Sequence, residues 1–575
     1  MNTQRIETDV LVIGGGLGGC MAAMAAARRG ARVTVMEKSH VDRSGAAGSG
    51  NDHFWHWNPE IHPGRGWTVE KMVRDISWDG PYGALSGGAI DQQLTEVVAS
   101  ESYARVKDLE SIGVNFRFDK IYPWNLQYEA HPGENRFRII PQFQSEWDTL
   151  NYEGRDIKPK LAAELRRLGA TILNRYMATR ILCHVGAASG AVGVNQRTGD
   201  AVVVVAPSVV LASGMDLSRL YRSPSGDWFN SQRPPMITGD GEAMALRAGA
   251  EVFIRPPWRT RSIGLQHFKG LYRSSGAATT SYPAGRIVNA EGDTIIEHPA
   301  SREPMRVRRE ALERSVAEGK TPIYLDMTRA PEEEIAYAEW SYGHEGLCWV
   351  MLEAMRDLGV DFRKDRLELE VEETGRLMGG RLGVWISPET ETSLPGLYAA
   401  SPVQPAGEVS APIPVVLGYR AGDRAAANAE GKTPSVDEAE IEAELHRIAA
   451  PLECTEGSDW REMNIALNDA TEDLKRLFCG FNPPPAKDAV GKQGLQTVRE
   501  RLATLRKTPI VAADPHELIR ALEVLNLIEV ADTITEAALD PRVTEPEAWF
   551  LGKRSSGATV FRSTPITYKY PKEVG

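Results

Sequence analysis

The sequence predicts an α/β fold, and three observations near its start predict it. Val10-Leu11-Val12-Ile13 is a continuous apolar run, the pattern of a parallel strand buried on both faces. It runs into Gly14-Gly15-Gly16-Leu17-Gly18-Gly19 and then into Cys20 to Ala27, a small-residue stretch that forms helix well and lets a strand pack closely on it. A second strand, Arg32 to Met36, ends in Glu37-Lys38. Strand, glycine turn, helix, strand and acid in that order make a Rossmann-like unit.

Each residue type answers a physical need. Gly14, Gly16 and Gly19 fit G-x-G-x-x-G: a tight turn, a close backbone approach to a diphosphate, and a helix touching a strand. The helix N-terminus offers free N–H groups and partial positive charge to the phosphates. Glu37 stands about 20 residues on, where a carboxylate accepts the hydroxyls of the adenosine ribose. The competing reading is a tight turn in an ordinary α/β domain. The unit as a whole favours a dinucleotide.

Length and composition bound the rest. At 575 residues the chain exceeds one core, and roughly two to four domains are expected. The net charge of −12, with acids and bases mixed, gives no nucleic-acid surface. Cys20, Cys183, Cys348, Cys454 and Cys479 form no C-x-x-C, so no zinc or iron–sulfur framework is expected in this chain. Met1 to Thr8 lack a secretory signal, and no run reaches ~18 apolar residues. A soluble, cytoplasmic protein without a membrane segment is expected.

The next stretch, Val41-Asp42-Arg43-Ser44-Gly45-Ala46-Ala47-Gly48-Ser49-Gly50-Asn51, is a long small-residue loop of a kind that NAD-binding domains rarely carry. It resembles the loop along the ribityl chain and isoalloxazine ring in the succinate dehydrogenase/fumarate reductase flavoprotein family. Val209 to Gly214, Thr238-Gly239-Asp240-Gly241 with its following helix to Ala250, and Gly379-Gly380 with Leu394 to Ala400 resemble later motifs of that family, in order. The likeness runs from about residue 8 to residue 430, and more loosely to the end. Within the family, Val41 to Ala46 and the Gly154-Arg155-Asp156-Ile157-Lys158-Pro159 turn are most similar to adenylylsulfate reductase flavoproteins.

The resemblance implies FAD. Its contacts would be Gly14, Gly16, Gly18 and Gly19 at the turn, then Glu37, Lys38, Ser44, Gly45, Gly48 and Asn51. Ser213, Gly214 and Asp240 would follow at the adenosine half, and Ser401 beside the ring. Arg43-Ser44-Gly45 stands where the family's flavin-linking histidine would be, so non-covalent FAD is expected. The resemblance also implies an arrangement: a first FAD-binding segment over 1–252, an inserted capping domain over 253–365, a return to the FAD domain over 366–432, and a helical C-terminal domain over 433–575. Ser435 is the candidate cap of the first C-terminal helix, Leu518 to Ile534 has helical apolar spacing, and Phe550 to Gly575, rich in Pro, Ser and Thr, reads as irregular.

Flavin oxidoreductases take a hydride at N5 of the ring and need anion clamps and one acid/base. Arginine suits the clamp because its fork gives two parallel hydrogen bonds. By resemblance Arg306 matches the family's proton-donating arginine upstream of a helix, with Arg308 and Arg309 as alternates. The bland reading is three arginines on a solvated face. Arg255-Pro256-Pro257-Trp258-Arg259-Thr260-Arg261 is a second cluster, read as an anion pocket with Arg259 and Arg261 favoured, or as an interdomain salt-bridge cluster. His53 and His56 are candidate acid/bases because imidazole titrates near neutrality; His267 and His344 are weaker ones. The aromatics from His53 to Trp57 and Tyr122, Trp124 and Tyr128 either stack on a planar substrate or pack the segment down.

Several family residues are replaced. Arg376 stands for a histidine and Ser401 for an acid; the H-P-T and N-R-x-G-G motifs are missing, with Tyr419 and Arg420 the nearest late residues. Fumarate or succinate is therefore not the expected substrate. The expected function is hydride transfer between flavin N5 and a small, anionic or planar substrate. The alternative is the flavin-bearing component of an adenylylsulfate-reductase-like complex, exchanging electrons with a ferredoxin-like iron–sulfur subunit. Either reading is compatible with a homo-oligomer.

Overall fold

Val10–Ile13 (β2) is the middle strand of a five-stranded parallel sheet. Its order is β19 (Leu397–Ser401), β11 (Ser208–Ala212), β2, β3 (Val33–Glu37), β7 (Thr171–Asn174). The strands read as near-continuous apolar runs because helices cover both faces. The structure is a computed structural model. It describes residues 2–51, 53–60, 62–78, 90–117, 137, 139–141, 148–220, 234–254, 263–268, 285–296, 305–345, 349–373, 382–407, 411–480, 489–544, 548–555 and 557–572.

Helix α1 (Leu17–Arg28) lies on this sheet with its alanines and methionines buried. Against it runs α9 (Pro412–Ala429), so closely that a Cβ on Gly418 or Gly422 would overlap the backbone of Gly18 or Ala22. The small-residue stretch therefore serves two contacts, one with the sheet and one with α9. A four-stranded sheet, β1 (Thr3–Glu7), β10 (Ala201–Val205), β9 (Ala187–Asn195) and β8 (Tyr176–His184), flanks the parallel one. Between β3 and β7 the chain makes an excursion. It contains α2 (Val69–Trp78), α3 (Gln92–Ser111), a small antiparallel sheet of β4 (His53–Trp55), β6 (Asp148–Asn151) and β5 (Ile139–Pro141), and then α4 (Ile157–Arg167).

After α5 (Asp240–Arg247) and β12 (Val252–Ile254), a second core forms from Ile287, Leu325, Tyr337, Met351 and Phe362. It belongs to an antiparallel sheet, β13 (Ile263–Phe268), β17 (Leu367–Glu373), β16 (Ile323–Asp326), β14 (Arg286–Val288), β15 (Thr294–Ile296), with α6 (Met305–Ala317), α7 (Glu332–Glu345) and α8 (Trp349–Leu358). β17 pairs with both β13 and β16, so the sheet of the insert runs past residue 365. Arg306, Arg308 and Arg309 lie inside α6, whereas the sequence placed them ahead of a helix.

The C-terminal region opens with α10 (Glu438–Glu453), α11 (Trp460–Gly480), α12 (Ala489–Lys507) and α13 (Pro515–Leu539). Asp437, not Ser435, caps α10: its side chain accepts the Ala439 N–H at 2.9 Å. Position sets this, since the carboxylate must sit two residues before the N–H it accepts. The tail differs from expectation too. Ala548–Ser555 (β20) and Ala558–Pro565 (β21) form a hairpin whose first strand pairs with β12, completing a sheet with β18 (Leu382–Val384). Trp549, Phe550, Val560 and Phe561 are strand formers, and they outweigh the Ser, Thr and Pro around them. No helix among the described residues is long and apolar enough to cross a membrane.

Candidate active site and its cofactor cradle

The glycine turn leaves β2 through Gly14, whose φ of +97° suits glycine alone at low cost. A Cβ on Gly19 would overlap the Gly14 carbonyl, so α1 sits directly on the strand end. No side chain caps α1 at Gly16, which leaves the first-turn N–H groups for a ligand. The small-residue loop folds onto this turn backbone to backbone. Gly45, at φ +79°, faces Gly16, where a Cβ would come within 2.9 Å of its Cα. Gly48 is held against the Arg43 carbonyl, and Ser44 Oγ donates to the Gly15 carbonyl at 3.0 Å. Gly18 approaches the Pro414 carbonyl, so its small size serves α9.

Glu37 ends β3 buried, accepting the Gly15 N–H and the Ser39 N–H at 2.6 Å each, one on either oxygen. The acid thus ties the second strand to the turn. A carboxylate has about four lone-pair sites, so capacity for ribose hydroxyls remains.

Lys38 and Asp240 meet each other. Lys38 Nζ lies 2.6 Å from Asp240, 2.7 Å from Glu523 of α13 and 3.1 Å from Thr238 Oγ1. Asn526 Nδ2 donates to Asp240 at 2.8 Å, while Arg219 and Arg520 pair with Glu523 at 2.5 and 3.0 Å. Burial alone would push the Glu523 carboxyl up; Lys38, Arg219 and Arg520 override it and hold the carboxyl below its usual range. Glu242, near the start of α5, has no such cations against it: burial, with Asp240 and Asp216 nearby, holds its carboxyl well above the usual range. Ser213 follows β11 with its Oγ buried and unbonded beside Gly241, and Gly214 takes φ +90°. Ser401 ends β19 opposite Ala212.

The insert docks at the far end of the loop. Asn51 Oδ1 accepts the Tyr152 hydroxyl at 2.8 Å. Next to Tyr152, Asn151 accepts the Tyr337 hydroxyl of α7 at 3.0 Å, and the Arg155 N–H donates to the His344 carbonyl at 3.1 Å. His53 is buried on β4 and pairs in register with Asn151, which places it at this junction. Trp55 packs against Gly407, and His56 stacks near His62, so these two pack the excursion down. Arg420 is held by Glu101 and Glu389, and Arg105 lies 3.6 Å over the Tyr419 ring, so neither Tyr419 nor Arg420 is free to replace the missing motifs.

The cofactor residues therefore converge, from Gly14 round to Ser401. The substrate arginines are not joined to them: Arg255, Arg259, Arg261, Tyr122, Trp124, Tyr128, Arg376 and Gly379-Gly380 lie outside the described residues, as do the side chains of Arg306 and His267. Three participants were not predicted. Lys158 and Cys20 lie against the Gly15 carbonyl, and no local pattern marks them. Glu523 was legible: Arg520, Glu523, Asn526 and Glu529 make a polar stripe at spacing three on an otherwise apolar helix.

The residues fit a dinucleotide: a cradle that any Cβ would fill, an uncapped helix start and an unbonded buried hydroxyl. Comparisons with known proteins agree. The family described as FAD binding domain matches residues 9–472. The flavoprotein-type relative from Methanothermobacter marburgensis, the first subunit of its fumarate reductase (CoM/CoB), is 24% identical over 94% of this chain and 93% of its own. L-aspartate oxidase of Halobacterium salinarum is 31% identical over 44% of each chain. In fold, adenylylsulfate reductase of Archaeoglobus fulgidus superposes with a TM-score of 0.77 at 20% identity, covering 99% of this chain and 97% of that one. E. coli quinol fumarate reductase gives 0.73 at 18%, covering 99% of each. The cradle built on Gly14 to Glu37 is thus that of FAD, and the chain belongs to the FAD-binding-domain family as an oxidoreductase of the succinate dehydrogenase/fumarate reductase flavoprotein kind.

Proposed function

We propose that this oxidoreductase acts on a small anionic substrate where the insert meets the Ser44–Asn51 loop, with FAD held there without a covalent bond. Bound FAD supplies hydride exchange with the substrate. The observation that carries the reading is the docking of α7 on Asn151 and Arg155, directly beside the segment that carries Asn51. An insert so placed closes over the ring end of the cradle and excludes water from it. In this reading Gly14, Gly16, Gly18 and Gly19 take the diphosphate and Glu37 the ribose. Lys38 and Asp240, with Ser213 and Gly214, shape the adenosine end; Ser44, Gly45, Gly48, Asn51 and Ser401 line the flavin. Arg259, Arg261 and Arg306 clamp the anion, and His53 at the junction is the candidate proton carrier.

Relatives named as subunits, such as that of the M. marburgensis fumarate reductase, support a partner that carries electrons. With no C-x-x-C in this chain, a ferredoxin-like iron–sulfur protein would supply the second centre.

Two variants probe the halves of this reading. Glu37→Ala removes a charged acceptor worth about 1.5–3 kcal/mol, so FAD should bind about tenfold or more weakly by fluorescence titration. An unchanged dissociation constant removes Glu37 from the ribose site. Arg259→Ala and Arg306→Ala each break an anion contact worth about 2–5 kcal/mol. Flavin reduction or reoxidation by a panel of small carboxylates and sulfur oxyanions, followed by stopped flow, should slow more than tenfold with FAD content intact. Lysine should rescue poorly, lacking the fork. Wild-type rates in both alanine variants would leave these arginines outside the site.

A further inference from the structure

Among the described residues three lysine or arginine side chains are buried: Lys158, Arg219 and Arg520. The two arginines share the Glu523 carboxylate. Lys158 meets no carboxylate among the described residues. It is the second residue of α4, 1% exposed, and the groups its ammonium reaches are neutral, the Gly15 carbonyl and, at 3.0 Å, Cys20 Sγ. Buried charges in folded proteins are paired, because low-dielectric surroundings penalise a lone ion. The Gly15 carbonyl is also crowded. It has two lone pairs and three donors, Ser44 Oγ at 3.0 Å, Cys20 Sγ at 3.3 Å and Lys158. An ammonium carries three N–H groups, so Lys158 keeps donor capacity at the turn that these contacts do not use.

We infer that Lys158 is the counter-charge of the cofactor diphosphate: an ammonium held behind the glycine turn, unpaired in the FAD-free chain and neutralised when the dinucleotide binds. The inference rests on the FAD reading and adds a residue that the turn motif does not contain. It makes FAD binding electrostatic from both sides of the turn, with helix N–H groups in front and a lysine behind. It also reverses the usual sign of a core mutation. Removing a structural lysine lowers stability in every state, whereas removing an unpaired one relieves the FAD-free chain and harms the loaded one.

The test uses full-length protein stripped of flavin and reloaded, as wild type, Lys158→Met, Lys158→Gln and Cys20→Ala. Affinity for FAD and for ADP, a diphosphate without the flavin, is titrated, and melting temperature is read with and without FAD. The expected result is a tenfold or greater loss of affinity for both ligands in Lys158→Met and Lys158→Gln. Their FAD-free melting temperature should equal or exceed that of wild type, and Cys20→Ala should bind FAD as wild type does. Wild-type affinity in the lysine variants overturns the inference. So does a fall in FAD-free melting temperature in both variants, which would make Lys158 a packing residue. If Cys20→Ala alone reproduces the lysine phenotype, a thiolate is the counter-charge and the inference also fails. Failure of wild type to bind FAD is a separate outcome, which defeats the cofactor reading before the variants are compared.

Discussion

Glu523→Ala is expected to destabilise the protein by about 3–5 kcal/mol, the usual result of removing one member of a buried ion network. Glu523 is fully buried and is shared by Lys38, Arg219 and Arg520 at 2.7, 2.5 and 3.0 Å. Without it three cations face the single carboxylate of Asp240. The network also bridges the chain, since Lys38 follows β3, Asp240 opens α5 and Glu523 lies in the middle of α13. The variant should therefore unfold earlier in urea and retain FAD poorly. The pH dependence follows from the sign of the shift. The folded carboxyl titrates below its unfolded value because Lys38, Arg219 and Arg520 outweigh burial. Its contribution is then complete above the unfolded value of about 4.3 and is lost as pH falls below that. The gap between wild type and variant should persist from pH 7 to pH 5 and narrow below pH 4. A loss under about 1 kcal/mol at pH 7 would show that the network relaxes without Glu523.

Gly19→Ala is expected to abolish tight FAD binding. The added methyl would overlap the Gly14 carbonyl, which is backbone and cannot swing away. Helix α1 cannot retreat either, because Gly418 and Gly422 of α9 press on its other side at Gly18 and Ala22. Overpacking of this kind costs about 3 kcal/mol at the upper end of its range. If that strain is relieved by tilting α1, the turn N–H groups lose their aim, and FAD affinity should drop a hundredfold or more. Titration of the stripped variant measures this directly. Affinity within threefold of wild type would mean that the helix and strand do not meet as tightly as the turn requires.

Much of this site could be read from the chain because its constraints are local. Gly14, Gly19 and Glu37 belong to one strand–turn–helix–strand unit, and the spacing of glycines states which backbones must touch. The loop from Ser44 to Asn51 is legible for the same reason, since small residues mark backbone approach. Lys158 and Glu523 act across long sequence separations, 143 residues from Gly15 and 485 from Lys38, and only the fold brings them in. The C-terminal hairpin was missed because Ser, Thr and Pro between Phe550 and Pro565 weigh toward irregular chain, while pairing with β12 decides for strand. The cap at Asp437 turned on a two-residue offset, finer than apolar periodicity resolves.

The central claim is that this chain binds FAD in the Gly14–Asn51 cradle without a covalent link. Acid precipitation of the purified protein tests it most directly. The account predicts yellow protein and a colourless pellet, with stoichiometric FAD in the supernatant by its absorption spectrum. Colour retained in the pellet would contradict the non-covalent link, and a chain that takes up no flavin even after incubation with excess FAD would contradict the account as a whole.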